Sequence, residues 1–200
     1  LFLALGSSGM RIGEAISLKK KDLDLTGKRI KVNIPANTKT RTGRTTYLSL
    51  ETEKILKPHL ESLGPDDVVF STKKNKSISM SVRTMLARLV DKLELVDRYQ
   101  SNNIRKITTH SFRAFFVTNA EKVHDGFGHA LAGHARYMQQ YERYTLEEKL
   151  NFYLDIEPSL SIYDNVDSIG KDTRISNLQK QVDSMKSMID ELSGRLESNL

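Results

Sequence analysis

The run Thr109-His110-Ser111-Phe112-Arg113 sets an imidazole and a guanidinium three positions apart. On a helix this spacing projects both side chains from one face, within reach of a single anion, and a phosphate is the anion that suits such donors. About twenty residues further on, Leu131-Ala132-Gly133-His134 supplies a second imidazole, and Tyr141-Glu142-Arg143-Tyr144-Thr145 follows with two phenols. Donors come first and a hydroxyl nucleophile follows.

Two earlier stretches extend the pattern. Gly9-Met10-Arg11-Ile12-Gly13-Glu14-Ala15-Ile16-Ser17-Leu18 contains a G-x-R-x-x-E core, and Thr38-Lys39-Thr40 precedes Arg44-Thr45-Thr46-Tyr47-Leu48. With His110-Ser111-Phe112-Arg113 as an H-x-x-R box and Gly133-His134 ahead of the tyrosines, residues 1 to 160 resemble the catalytic domain of the tyrosine recombinases, the phage integrase family. Any one box is weak alone; four in this order are specific. In most family members the nucleophile follows the G-H histidine by about nine residues, whereas here Tyr141 stands at +7 and Tyr144 at +10. Many relatives continue Y-x-[H/R]-apolar-[S/T], which this chain fits if Tyr144 takes the apolar place. Tyr141 is therefore the expected nucleophile, with Tyr144 as the alternative. Tyr137 lies too close to His134, and Tyr153 and Tyr163 read as packing residues.

The resemblance implies a mechanism. Arg11 and Arg113 would clamp the phosphodiester, since guanidiniums present several donors in a rigid fork and stay charged. Glu14 would hold the arginines in place. His110 and His134 would add hydrogen bonds, His110 also assisting proton transfer from the tyrosine, and Lys39 would protonate the departing 5′ oxygen. A phenol has a reference pKa near 10, and adjacent cations favour its charged form. The product would be a covalent 3′-phosphotyrosine, which a 5′ hydroxyl from another strand can reverse. No metal and no cofactor are required. The implied activity is site-specific DNA recombination, an integration or excision reaction of the kind used by mobile genetic elements.

Elements that position these groups follow from periodicity. Residues 1–5 and 12–18 are apolar at helical spacing, interrupted by Gly6-Ser7-Ser8-Gly9, and Arg11 opens the second helix, where Glu14 can also pair with it. Ile30, Val32 and Ile34 alternate, and Thr45 to Leu50 is a second β-rich run, so the two predict a hairpin whose loop, Pro35 to Gly43, carries Lys39 and Arg41. Glu51 to Leu63 reads as a helix through Ile55, Leu56 and Leu60, Val68-Val69-Phe70 as a short buried strand, and Ser79 to Leu95 as a helix with Met80, Leu86, Leu89, Val90 and Leu93 inward. Phe112, Phe115, Phe116 and Val117 read as core. The fold class is mainly α with a small antiparallel β-sheet, an α+β fold, ending in a coiled-coil helix. His124, His129 and His134 are equally spaced, but steps of five rotate about 140° around a helix, so the imidazoles diverge and no metal site is expected.

Charge points to the partner. The formal net charge is +6, and residues 1–164 hold 26 Lys/Arg against 19 Asp/Glu while 165–200 hold 5 against 6. The globular part carries the basicity, as expected for a surface that meets a polyanion, which the resemblance implies is double-stranded DNA. Lys19, Lys20, Arg41, Arg44, Lys73 and Lys74 are the expected phosphate contacts. No run approaches the ~20 apolar residues of a membrane span, and the absence of cysteine excludes disulfides and thiol chemistry, which fits a cytoplasmic protein.

Beginning without methionine inside a helix, the chain reads as a fragment whose N-terminal DNA-clamping domain is missing. Residues 1–160 would be the catalytic domain and 161–172 a linker. Residues 173–200 would be a heptad helix through Ile175, Leu178, Val182, Met185, Ile189, Leu192 and Leu196, fit for a short coiled coil or for packing as one amphipathic helix. Recombinases act as tetramers on paired sites, so a homo-oligomer is expected, with residues 146–160 as a candidate exchanged segment. Two rivals remain: type IB topoisomerase-like nicking and resealing, and a non-catalytic DNA-binding protein with a dimerisation coil.

Overall fold

Gly9 sets the first turn of the fold. Helix α1 (Phe2–Ser8) ends where Gly9 takes the left-handed conformation at φ 64°, its N–H donating to the Leu5 carbonyl at 3.1 Å. A Cβ at Gly9 would lie 2.9 Å from Phe116 Cε1, so backbone and packing both demand glycine there. The expected break across Gly6 to Gly9 is narrower than the composition implies: Gly6, Ser7 and Ser8 stay helical, because Ser8 returns its hydroxyl to the Ala4 carbonyl and only Gly9 leaves the helix. Helix α2 (Ile12–Ser17) follows with Arg11 as its extended N-cap.

The computed structural model describes residues 1–36, 43–70, 78–134, 137 and 143–163. Lys39, Arg41, Lys73, Lys74, Tyr141 and the heptad helix lie outside the described residues. The chain divides into two compact units, Leu1–Ile162 and Tyr163–Leu200, and the elements described here belong to the first.

After a 3₁₀ turn at Lys20–Asp22 come β1 (Leu23–Asp24), β2 (Lys31–Ile34) and β3 (Arg44–Tyr47), antiparallel in that order, with Val32 opposite Thr46 and Ile34 opposite Arg44. Alternation buries Ile30, Val32 and Ile34 together, as the pattern predicts. Strand β1 is too short for its periodicity to be read. Helix α3 (Leu50–Glu61) starts at Ser49, whose hydroxyl accepts from the Thr52 N–H, and Glu51 and Glu53 in its first turn favour the N-terminal dipole. Helix α4 (Ile78–Lys92) leads through a polar loop to α5 (Thr109–Glu121), capped by Thr108 with Ser111 returning its side chain to the Thr108 N–H at 3.0 Å. Short α6 (Phe127–Ala132) and α7 (Leu146–Leu160) complete the unit.

Several expectations need correction. Val68-Val69-Phe70 forms no strand; one bridge to Lys19 and the buried Val69 are what the apolar run becomes. Ile55 is 61% exposed and faces away from Leu56 and Leu60. In α4 the inward stripe is Val82, Leu86 and Val90, whereas Met80, Leu89 and Leu93 are exposed. That helix carries two apolar stripes, and helical spacing alone cannot choose between them. Phe116 is fully buried, but Phe115 is partly exposed.

One core cluster packs α1 and α2 on the sheet and α3; a second packs Tyr47, Phe116, Phe127, Leu131, Tyr153 and Ile156. Helix α7 packs Tyr153, Ile156 and Leu160 onto this core within the chain. A buried ion pair fastens it: Glu157 accepts from Arg29 Nε and Nη2 at 2.7–3.0 Å and from the Leu50 N–H at 2.6 Å. Removing one partner of such a pair leaves a buried charge, so Glu157→Ala should lower the unfolding free energy by about 3–5 kcal/mol in urea titrations. A loss below about 1 kcal/mol would mean water replaces the carboxylate.

Candidate active site

The Gly9 turn brings two arginines to one place. Arg113, in the second turn of α5, is only 3% exposed. Its Nη1 donates to the Gly9 carbonyl at 2.7 Å and also to the Ala132 carbonyl, spanning the α1–α2 turn and the end of α6. Arg11 emerges two residues after Gly9 and is close enough for its charge to act on Arg113. Burial first, then the charges of Arg11 and Arg44, lower the Arg113 pKa to about 10, which leaves it cationic at neutral pH. Among the described residues, Arg113 Nη2 is buried with no hydrogen-bond partner. Such an orphan donor is costly unless something accepts from it.

Glu14 organises the cations. It sits at the third position of α2, where its carboxylate accepts from the Arg11 N–H at 2.8 Å, Arg11 Nη1 at 3.0 Å, and Arg44 Nη1 and Nη2 at 3.0 and 2.7 Å. Burial would raise its pKa, but the hydrogen bonds and charge of Arg44, then Arg11, outweigh burial and hold it below the ordinary carboxylate value. Arg44 departs from its expected role as a phosphate contact. Its side chain is 4% exposed; the fork is taken by Glu14, and Nε donates to the Leu131 carbonyl at 2.9 Å. A strand residue that shares a face with buried Thr46 and Leu48 needs a buried counter-charge, and Glu14 supplies it.

His134 joins this group from the end of α6. Gly133 ends the helix at φ 83°, and a Cβ there would lie 2.7 Å from Arg44 Nε, so only glycine lets the arginine pass beneath the turn. The turn folds His134 back on His129, Nδ1 to Nδ1 at 2.6 Å, with Tyr137 stacked on the other ring at 4.6 Å. The expected divergence of these imidazoles is therefore corrected for one pair, because the helix stops before the five-residue step is complete. His124 goes elsewhere and meets Asp155 at 3.0 Å. Among the described residues no group of three side chains could hold a metal.

Burial, then the charges of Arg113, His129, Arg11 and Arg44, lower the His134 pKa from 6.5 to about 4. The folded ring is neutral at pH 7. A depressed histidine pKa means that the unfolded chain binds a proton the folded chain refuses between about pH 6.5 and 4, so this residue makes stability fall as pH falls through that window. Urea midpoints measured at pH 7 and pH 5 should differ less for His134→Gln than for wild type. An equal or larger difference would place the ring outside the influence of the arginines.

The other candidates are more dispersed. His110 lies one turn before Arg113 but is exposed, lining a cleft of about 390 Å³ with Arg83, Arg105, Ile107, Thr108 and Thr109. Lys19 meets Asp66 at 3.4 Å and Lys20 donates to the Leu63 carbonyl at 2.6 Å, which ties both to the turn after α3. Tyr144 is half-exposed, its ring edge-on to Phe152 at 5.2 Å. Tyr153 is fully buried and donates to the Ser7 carbonyl at 2.8 Å, whereas Tyr163 is exposed.

Comparisons with known proteins bear on the fold and the family. No curated protein sequence matches the chain. The fold is similar to the crystal structure of XerH site-specific recombinase bound to difH substrate in a pre-cleavage complex, at 21% identity and a TM-score of 0.51 over 75% of this chain and 43% of that one. It is similar to XerA recombinase at 20% identity and a TM-score of 0.50, covering 75% and 54%. The post-cleavage complex of XerH on palindromic difH aligns at 23% identity and 0.51, covering 75% and 44%. The chain spans about half the length of these structures, and no described helix is long and apolar enough to cross a membrane. A sequence model described as the phage integrase family matches residues 1–146, the span that holds Arg11, Glu14, Arg113 and His134, and on that match the chain belongs to the phage integrase family.

Proposed function

We propose that this chain is the catalytic part of a site-specific DNA recombinase, which cuts and rejoins double-stranded DNA through a 3′-phosphotyrosine. The observation that carries this function is that, among the described residues, Arg11, Arg44 and Arg113 gather near the one carboxylate of Glu14, with a buried Arg113 donor left unpaired. Three guanidiniums against one carboxylate leave an excess of positive charge where an anion would sit, and a phosphodiester is the anion that family membership supports.

The order of events comes from the residues. Arg11 and Arg113 hold the non-bridging oxygens and stabilise the charge that builds on them during attack. The Tyr141 oxygen, its proton passed on with the help of His110, bonds to phosphorus as the bond to the 5′ oxygen breaks. Lys39 gives the departing oxygen a proton; its loop leaves the sheet at Ile34 and returns at Arg44, beside the arginines. One phosphoester replaces another, so the energy is kept and a 5′ hydroxyl from a partner strand can reverse the step. Arg83, exposed along the α4–α5 cleft, supplies a cation for a neighbouring phosphate. No metal or cofactor enters any step.

Incubation with nicked duplex, followed by denaturing electrophoresis, tests this directly. A protein–DNA adduct joined through the 3′ end is expected; its absence across a range of sequences would remove the function. Residues 1–160 would act as the catalytic domain, 161–172 as a linker and 173–200 as a heptad helix that assembles tetramers on cytoplasmic DNA. A chain ending at Asp164 should sediment as a smaller species than the full chain, and an unchanged size would exclude the heptad helix as the contact.

A further inference from the structure

His129 has no part in the mechanism above, yet its ring touches His134, which the family resemblance makes a hydrogen-bond donor to the phosphodiester. The two Nδ1 atoms of His129 and His134 are 2.6 Å apart, a distance that requires one of them to carry a proton and the other to accept it. Burial, then the charges of Arg113, His129, Arg11 and Arg44, keep His134 neutral at pH 7, so it owns a single proton. If that proton were on Nδ1, its Nε2 would present a lone pair to the anion the arginines attract. If His129 donates instead, the His134 proton must be on Nε2.

We infer that His129 is a positioning residue for His134: its Nδ1–H holds the His134 ring in the Nε2–H tautomer and so makes that ring a hydrogen-bond donor to the bound phosphate. This inference rests on the strand-cleavage function proposed above. His129 is itself well anchored. Its backbone N–H donates to Glu121 Oε1 at 3.1 Å, its carbonyl accepts from the His134 N–H at 3.0 Å, and Tyr137 stacks on its ring. The arrangement is the familiar one in which the partner of one imidazole nitrogen decides what the other can do.

The test uses full-length protein labelled with ¹⁵N-histidine, its His134 resonances assigned with His134→Asn, alongside single-turnover adduct formation on nicked duplex. Wild type should show His134 protonated on Nε2. In His129→Phe the donor is gone, His134 should become a mixture of tautomers, and adduct formation should slow by about 10- to 100-fold while duplex affinity changes by less than about twofold. In His129→Gln the side-chain amide can still donate to Nδ1, and the rate should stay within about threefold of wild type. Either an Nδ1–H tautomer in wild type, or slowed adduct formation in His129→Phe with the His134 tautomer unchanged, overturns the inference. A chain that shows the Nε2–H tautomer and its loss in His129→Phe, yet forms no adduct, supports the positioning and removes the strand-cleavage function. An active chain with Nδ1–H on His134 does the reverse.

Discussion

Arg113→Ala should lose about a thousandfold in adduct formation on a suicide DNA substrate while duplex affinity falls less than about tenfold. The asymmetry has a physical source. Binding is spread over many phosphate contacts, each worth little, whereas the charge that develops during attack is local and meets only the groups aimed at it. Under the proposed function Arg113 is one of those groups: the Gly9 and Ala132 carbonyls fix its Nη1, and among the described residues Nη2 is buried without a partner. Truncation also leaves those carbonyls unmatched, at about 1–3 kcal/mol for a buried group, so thermal unfolding must be followed in parallel. Arg113→Lys separates the two effects, since an ammonium keeps the charge but cannot serve both carbonyls and the phosphate. It should remain folded and still lose at least about a hundredfold. Near-full cleavage by Arg113→Ala would remove Arg113 from the site.

How much of this was legible in the chain depends on the range of the interaction. Glu14 pairing with Arg11 is a contact of helical neighbours, and spacing alone predicts it. The hairpin was equally readable, because alternation from Ile30 to Ile34 leaves one face to bury. Arg44 was not, since its partners lie 30 and 87 positions away and a run of cations near a turn looks solvated. One signal was present: strand alternation puts Arg44 on the face of Thr46 and Leu48, where a charge needs a buried counter-ion. His129 escaped because helical rotation was carried through Gly133, a residue that ends helices. In α4 the failure was of another kind: two stripes were apolar, and only tertiary packing selects Val82, Leu86 and Val90.

Glu14 explains why like charges can share this space. Arg11, Arg44 and Arg113 repel one another, and the depressed Arg113 pKa records that repulsion after burial. Glu14 binds two of the three and leaves the third to backbone carbonyls. Among the described residues the site is thus held together by one carboxylate and remains short of negative charge, the condition that the proposed function needs to attract a phosphate and stabilise it as its charge grows.

Tyr141→Phe should abolish adduct formation altogether and leave duplex affinity within about twofold of wild type, because only a hydroxyl is lost and phosphate contacts carry the binding. Tyr144→Phe should keep adduct formation within about threefold. The described residues on either side favour this division of roles. Tyr137 is stacked on His129 at 4.6 Å, and Tyr144 lies edge-on to Phe152 of α7 at 5.2 Å. The Thr145 cap of α7 is closed by Glu148, whose carboxylate accepts from the Thr145 N–H at 2.8 Å, and Glu157 fastens the far end of the helix to Arg29. Bringing Tyr144 to phosphorus would require breaking its packing beside that cap, whereas Tyr141 lies three residues earlier in the chain. Adducts formed by Tyr141→Phe and absent from Tyr144→Phe would transfer the nucleophile's role to Tyr144, and adducts formed by both variants would exclude each phenol as the sole nucleophile.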